Sequence, residues 1–360
     1  MPYQISLTKI EGVGDINAKN LVSYCGSAEA VFKEKKSFLE KIPNIGEITA
    51  RSISKFQDFE TVEKEIQIIQ KHQIKPIFYL DEEYPARLKN CEDSPIMLYY
   101  KGNVNLNQTR VLAIVGTRNA SSYGKHFTEQ LCEALVPYHV LVVSGLASGT
   151  DSNVHHLALK NKLSTIGVLG HGLQTIYPSE NRNLAIKMLS NGGLLTEFCF
   201  GTPGNKENFP RRNRIVAGMC DATIVIESAL KGGSLITAEL ANSYNRDVYA
   251  LPGRISDTWS LGCNKLIADN KAAIISSIDQ LIFSLGYSKK VSKKKQQIEM
   301  MVSLNEEEKK LYEIIKQGTI SIDELSIQTN MKLSKLALIL LDLEFKNLIQ
   351  SLPGKKYSIL

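Results

Sequence analysis

Residues 110–151 run RVLAIVGTRNASSYGKHFTEQLCEALVPYHVLVVSGLASGTD, two apolar runs that each lead into a glycine turn, with an amphipathic stretch between them. The runs at 111–115 and 140–143 lack the polar alternation of a half-exposed strand, so both faces of each must be buried. That restricts the chain to a parallel sheet covered by helices on both sides, and the intervening stretch is long enough for a right-handed helical crossover. In such a unit, ligands meet the carboxyl ends of the strands. The informative residues are therefore Gly116, Thr117 and Arg118, and the stretch from Ser144 and Gly145 to Asp151. Small side chains there let backbone N–H groups approach an anion, and Asp151 is expected to cap the following helix. Tight turns in a purely structural crossover would give the same pattern.

The unit repeats. Further strands are expected at 164–169, 194–196, 222–227, 247–251 and 272–275, nearly all ending at a glycine or polar residue. The predicted fold class is α/β, an extended Rossmann-like, doubly wound parallel sheet with its functional loops along one edge. At 360 residues the chain exceeds what one core usually supports, and further domains are expected.

Those domains flank the sheet. Residues 10–21 and 42–53 are two similar pieces, each an apolar residue, a tight turn and an amphipathic helix, and each resembles a helix-hairpin-helix motif. Gly12 and Asn44 suit left-handed turn positions, while Gly14 and Gly46 free the next helix N-terminus. Asp15 and Glu47 beside the turns favour a packing module over a DNA-contacting one. Residues 59–71 suggest a helix, and the chain from there to 108, with Tyr84-Pro85 and Pro95, reads as an irregular connector packed on the next domain. At the other end, 288–297 is a basic tether. Three amphipathic segments (304–316, 321–329 and 332–346) then precede two short strands around Pro353-Gly354, the pattern of a winged helix. Its third helix is apolar and ends acidic, which favours protein contact over groove readout.

Charge places the nucleic-acid question in the middle of the chain. The net charge is −1 over residues 1–108, +3 over 109–283, +5 over 284–298 and −1 over 299–360. Six cysteines show no CxxC or short Cys/His spacing, so neither a zinc site nor a disulfide framework is expected. No apolar run is long enough for a membrane span and the first residues carry Lys9 and Glu11, so a cytoplasmic protein is expected.

The edge loops carry no recognisable triad and no GxxxxGK[ST] phosphate loop. Gly170-His171-Gly172 is a poor dinucleotide fingerprint, because Thr175 replaces the third glycine and Pro178 interrupts the helix. Residues 232–239, GGSLITAE, are similar to the GGxGTxxE loop of phosphoribohydrolases, but Leu235-Ile236 stands where that loop has one glycine. The most loaded segment is 198–217, FCFGTPGNKENFPRRNRIVA. Lys206, Arg211, Arg212 and Arg214 surround Phe209 and Asn213 near a helix start, where cations oppose the helix dipole unless an anion joins them. An aromatic face stacks any base, for about 1–3 kcal/mol. The alternative is that Phe209 is core and the arginines pair with Glu197, Glu207 and Glu227.

Taken together, these motifs resemble the DNA processing protein A family (DprA, also called Smf). The matching pieces are Tyr84-Pro85 with Leu88, AIVGTR at 113–118 with SYG at 122–124, and VSGLA at 143–147 with Gly149, Asp151 and His155 or His156. They continue with VLG at 168–170, Gly172 and Tyr177-Pro178, then Phe209-Pro210 with Arg212-Asn213-Arg214, GSLITA at 233–238, and Pro252-Gly253. The flanking modules fit the family's optional domains. Departures are Thr150 before the aspartate, and His171 and Gln174.

The resemblance implies a non-catalytic protein without cofactor or metal that binds single-stranded DNA, forms a homodimer, loads RecA and displaces single-strand-binding protein, in recombination or natural transformation. Its DNA contacts carry over to Arg118, Lys206, Phe209, Arg212 and Asn213, with the Gly116, Gly145 and Gly233-Ser234 backbones nearby. Thr117, Ser144 and Arg214 join them from the edge loops. The expected domains are 1–75 (helix-hairpin-helix-like, SAM-like), 76–287 (Rossmann-like), 288–298 (basic linker) and 299–360 (winged helix). The competing reading is an enzyme or sensor for a nucleotide phosphate on the same edge.

Overall fold

Residues 1–287, 305–346, 348–352 and 356–359 are described by the computed structural model. The lysine tract expected as a linker lies outside them. The chain forms two compact units, Met1–Lys289 and Lys290–Leu360.

In the first unit nine strands make one sheet: β1 (Lys75–Phe78), β2 (Met97–Gly102), β3 (Val111–Val115), β4 (Leu141–Ser144), β5 (Thr165–Val168), β6 (Gly192–Thr196), β7 (Ala222–Val225), β8 (Asp247–Ala250) and β9 (Ala273–Ile274). Their order is β1-β2-β6-β5-β4-β3-β7-β8-β9, with β2 antiparallel to both its neighbours, β1 and β6, and every other pair parallel. The unbroken apolar runs have the expected cause. Val111, Ala113 and Val115 face one core with the helices Asn208–Gly218, Gly233–Ser243 and Leu261–Ala268, while Leu112 and Ile114 face the other with Ser122–Leu135 and Thr150–Lys160. From β3 the chain winds outward through β4, β5 and β6, and from β7 it winds the other way. The β3–β7 pair is thus the topological switch point, where a crevice opens at the strands' carboxyl ends.

The stretch after residue 71 is not an irregular connector; it contributes β1 and β2. Proline obscured both: Pro76 lies within β1, an edge strand where a missing N–H is tolerated, and Pro95 precedes β2. In β2, Met97 and Tyr99 pack under the N-terminal helices while Leu98 and Tyr100 join the sheet core, so burial on both faces erases the alternation. The N-terminal helices therefore share a compact unit with the sheet. Their two motifs have the expected turns, with Gly12 at φ +81° and Asn44 at φ +65°, and helices Asp15–Cys25 and Glu47–Ser54 starting after Gly14 and Gly46.

In the second unit, helices Glu306–Ile315, Ile322–Thr329 and Leu333–Phe345 accompany β10 (Ile320–Ser321), β11 (Ile349–Leu352) and β12 (Lys356–Ile359), paired in the order β10-β12-β11. Asn305 with Glu308 and Ser321 with Glu324 form capping boxes that fix the first two helix starts. Leu311, Leu325, Leu336, Leu340 and Leu343 form its core. No helix of the described residues is long and apolar enough to cross a membrane.

Candidate functional site

A cavity of about 620 Å³ opens at the switch point. Loops following β3, β4, β5, β6, β7 and β8 all reach it. The turn after β3 is fixed from two sides: the Thr117 N–H donates to the Glu227 carbonyl (2.8 Å), and the Thr117 carbonyl accepts from the Thr150 N–H (3.0 Å). Gly116 permits this closure, since a Cβ there would lie 2.5 Å from Thr150 Oγ1. The result presents Gly116, Thr117 and the exposed Arg118 to the cavity. Arg118 and the exposed Lys206 form no ion pair among the described residues. Gly232, Gly233 and Ser234 line the β7 side at the start of an eleven-residue helix, with Ser234 Oγ donating to Ser228 Oγ (2.9 Å). Asn213 Nδ2 reaches toward the Gly233 carbonyl (3.4 Å) and links the two helices that border the cavity.

Phe209 is half-buried in the wall, its ring against Gly170 and 5.6 Å from the Tyr177 ring. It is packed and cavity-lining at once, so it is neither a free surface aromatic nor a core residue.

Arg212 lies beneath the cavity, not at its mouth. It is 5% exposed, and its guanidinium donates to the carbonyls of Gly145 and Val168. Burial lowers its pKa to about 10, with Asp151 opposing and Arg118 adding to that shift, so it keeps its proton at neutral pH. Asp151 is the lining carboxylate. Burial pushes its pKa up, while Arg212 and the N–H groups of the turn after β4 hold it down. It does not cap the helix. Gly149 does, at φ +82°, and Asp151 sits in the first turn.

Two expected site residues are not brought to the cavity. Ser144 is fully buried and its hydroxyl donates to the Ile114 carbonyl (2.7 Å), because the last residue of a doubly covered strand points into a core. Arg214 faces away from the cavity, where it pairs with Glu197 (2.6 Å) and Asp15 (3.0 Å) and donates to the Asp93 carbonyl. Arg211 joins Glu197 at 2.7 Å. The anions that balance these two arginines belong to this chain, and Asp15 comes from the first helix-hairpin-helix turn. The other expected residues, Gly116, Thr117, Arg118, Gly145, Lys206, Phe209, Arg212, Asn213, Gly233 and Ser234, all line the cavity. Tyr177, named in the sequence only as part of a family motif and given no site role, also lines it, and so does Trp259, which sequence reasoning missed because it sits in no spacing that announces a site.

The His155 imidazole beneath this region is fully buried. Its Nδ1 meets Thr165 Oγ1 at 2.7 Å and its Nε2 has no partner among the described residues. Burial lowers its pKa to about 3. The folded state then binds fewer protons than the unfolded state between pH 3 and about 6.5, so stability is full above that window and falls as the pH drops through it. Unfolding by denaturant at pH 5 is expected to take about 2 kcal/mol less than at pH 7 on this account. His155→Gln should reduce that difference, and an equal pH dependence in the variant would assign it to other groups.

Glu239, the glutamate of the phosphoribohydrolase-like stretch, is 61% exposed, lies 3.4 Å from Lys271 and does not line the cavity. Among the described residues no group of three or more His, Cys, Asp or Glu side chains could hold a metal.

With this geometry in place, comparison with known proteins is specific. The family model for DNA recombination-mediator protein A matches residues 75–286, and the DprA winged helix domain matches 302–355. Protein Smf of Synechocystis sp. is 35% identical over 291 residues, covering 79% of this chain and 72% of that one. The X-ray structure of DprA from Streptococcus pneumoniae superposes with a TM-score of 0.68 at 32% identity, over 79% of this chain and 97% of that one. A Helicobacter pylori DNA processing protein A, described for its single-stranded DNA binding mode, superposes at 0.54 with 30% identity, over 59% and 95% of the two chains. The sheet, the cavity-forming motifs and the matched domains agree, and the chain belongs to the DNA recombination-mediator protein A family, DprA/Smf.

Proposed function

We propose that this chain is a non-catalytic binder of single-stranded DNA that passes the strand to RecA. The observation that carries this reading is the pairing, in one cavity, of two uncompensated cations, Arg118 and Lys206, with the wall-mounted ring of Phe209. Cations track the backbone and an aromatic face accepts any base. The Gly116 turn and the start of the Gly233–Ser243 helix add backbone donors for phosphate, and Arg212 adds positive charge from below. A catalytic reading lacks support: Asp151 is engaged by Arg212 and the turn after β4, and the position of Glu239 weakens the phosphoribohydrolase alternative. Transfer to RecA, displacement of single-strand-binding protein, homodimerisation and a cytoplasmic location rest on family membership. So does the working division into 1–75, 76–287, 288–298 and 299–360.

Titration of labelled oligo-dT at several salt concentrations tests the site. Arg118→Ala should weaken binding similarly for all sequences and reduce the salt slope by about 0.7 if it neutralises one phosphate. Phe209→Ala should weaken binding about five-fold or more with the slope unchanged, because stacking releases no counterions. Parental affinity and slope in both variants would remove this cavity from consideration.

A further inference from the structure

Trp259 is the single tryptophan of the chain, and it lines the cavity from the loop after β8. That loop is held at both ends. The Trp259 carbonyl accepts from the Ser228 N–H (2.6 Å) and the Ser228 carbonyl accepts from the Gly262 N–H (2.8 Å). The Asn264 amide clasps Gly253 through its N–H (3.1 Å) and its carbonyl (2.9 Å). A Cβ on Gly253 would lie 2.1 Å from Ser260 Oγ, so the two ends of the loop meet closely. The half-buried indole is thus mounted on fixed backbone, yet among the described residues no aromatic ring stacks on it and no cation lies over it.

The spacing of the backbone against which Trp259 and Phe209 are held follows from the sheet. Phe209 packs against Gly170, just past β5, and Trp259 is tied to Ser228, just past β7. In the order β5-β4-β3-β7 these are three strand spacings apart, about 14 Å. Neighbouring bases in a stacked strand rise only ~3.4 Å each. The backbone that anchors the two rings is thus about four such rises apart, which suits bases of one strand that are not neighbours. The Gly116–Arg118 turn after β3 lies between them in the strand order, and the Gly232–Ser234 helix start follows β7 on the Trp259 side; both are suited to phosphate.

We propose that Trp259 is a second base-stacking platform, taking a base of the same strand several nucleotides from the one on Phe209, with the intervening phosphates over Arg118 and the Gly232–Ser234 backbone. This rests on the single-stranded DNA reading above and makes it a reading of strand length: the second platform is filled only when the oligonucleotide spans the gap.

The full chain tests this directly, because its tryptophan emission has one source. Anisotropy of end-labelled oligo-dT of two to ten nucleotides reports binding, and intrinsic fluorescence reports Trp259 in the same titration. The expected result is quenching at saturation by the longer oligonucleotides only, with a rise in affinity at the same length. Trp259→Leu should abolish that rise, lowering affinity for long oligonucleotides about five- to a hundred-fold at unchanged salt slope. Trp259→Phe should retain part of it, and both variants should keep the parental unfolding midpoint. Binding by anisotropy with unchanged emission and parental affinity in Trp259→Leu would overturn the second platform and leave the first reading standing. No binding by anisotropy at any length would overturn the single-stranded DNA reading, and this inference with it.

Discussion

Arg214→Ala is expected to destabilise the first unit by about 3–5 kcal/mol, the range for removing one partner of a buried ion pair. Arg214 is 8% exposed and Glu197 3% exposed, with Asp15 at 19%. Without the guanidinium, the Glu197 and Asp15 carboxylates share only Arg211, itself 54% exposed, and the Asp93 carbonyl loses a donor. Burial already pushes the Glu197 pKa up, and Arg214 and Arg211 counter it. Denaturant unfolding measures the loss, and Arg214→Ala with Glu197→Gln should recover part of it, because the uncompensated charge is then gone. A loss below about 1 kcal/mol would class the pair with ordinary surface bridges.

Arg212→Ala is expected to carry a similar penalty, about 3–5 kcal/mol, for a different reason. It leaves Asp151 buried without its cation and frees the carbonyls of Gly145 and Val168. Because those groups form the underside of the cavity, DNA affinity should fall together with the unfolding midpoint. Arg118→Ala, at an exposed position, should lower affinity alone. Measuring both quantities for both variants separates a brace from a contact. Arg212→Ala with parental stability would mean that the floor relaxes around the missing side chain.

The contrast between these arginines shows what was legible in the sequence and what was not. The sheet, its seven parallel-region strands and the winged-helix elements follow from apolar runs and glycine punctuation, because burial on both faces writes directly into composition. The loop residues at the strand ends follow too. A cluster such as RRNR does not say which way each side chain points. Helix period sorts it: Phe209, Arg212, Asn213 and Val216 share the face that lines the cavity, and Arg211 and Arg214 share the face that meets Glu197 and Asp15. Applied to 208–218 alone, that period identifies two faces but not the partner of either. Asp15 lies 199 residues from Arg214, a pairing no local pattern contains. Trp259 was illegible for the same reason, since only the sheet order brings the loop after β8 beside the switch point.

The Asn208–Gly218 helix is therefore a party wall. One side is papered with the residues that face the cavity, and the other is nailed to the N-terminal helices through Asp15. Trimming the chain ahead of β1 would not be a clean excision. It would unveil Glu197 to solvent, leave Arg211 and Arg214 with one carboxylate where they had two, and slacken the helix that holds Phe209 in place. A fragment lacking the first module should then hold DNA with more charge and less grip, its affinity leaning harder on low salt than that of the intact chain.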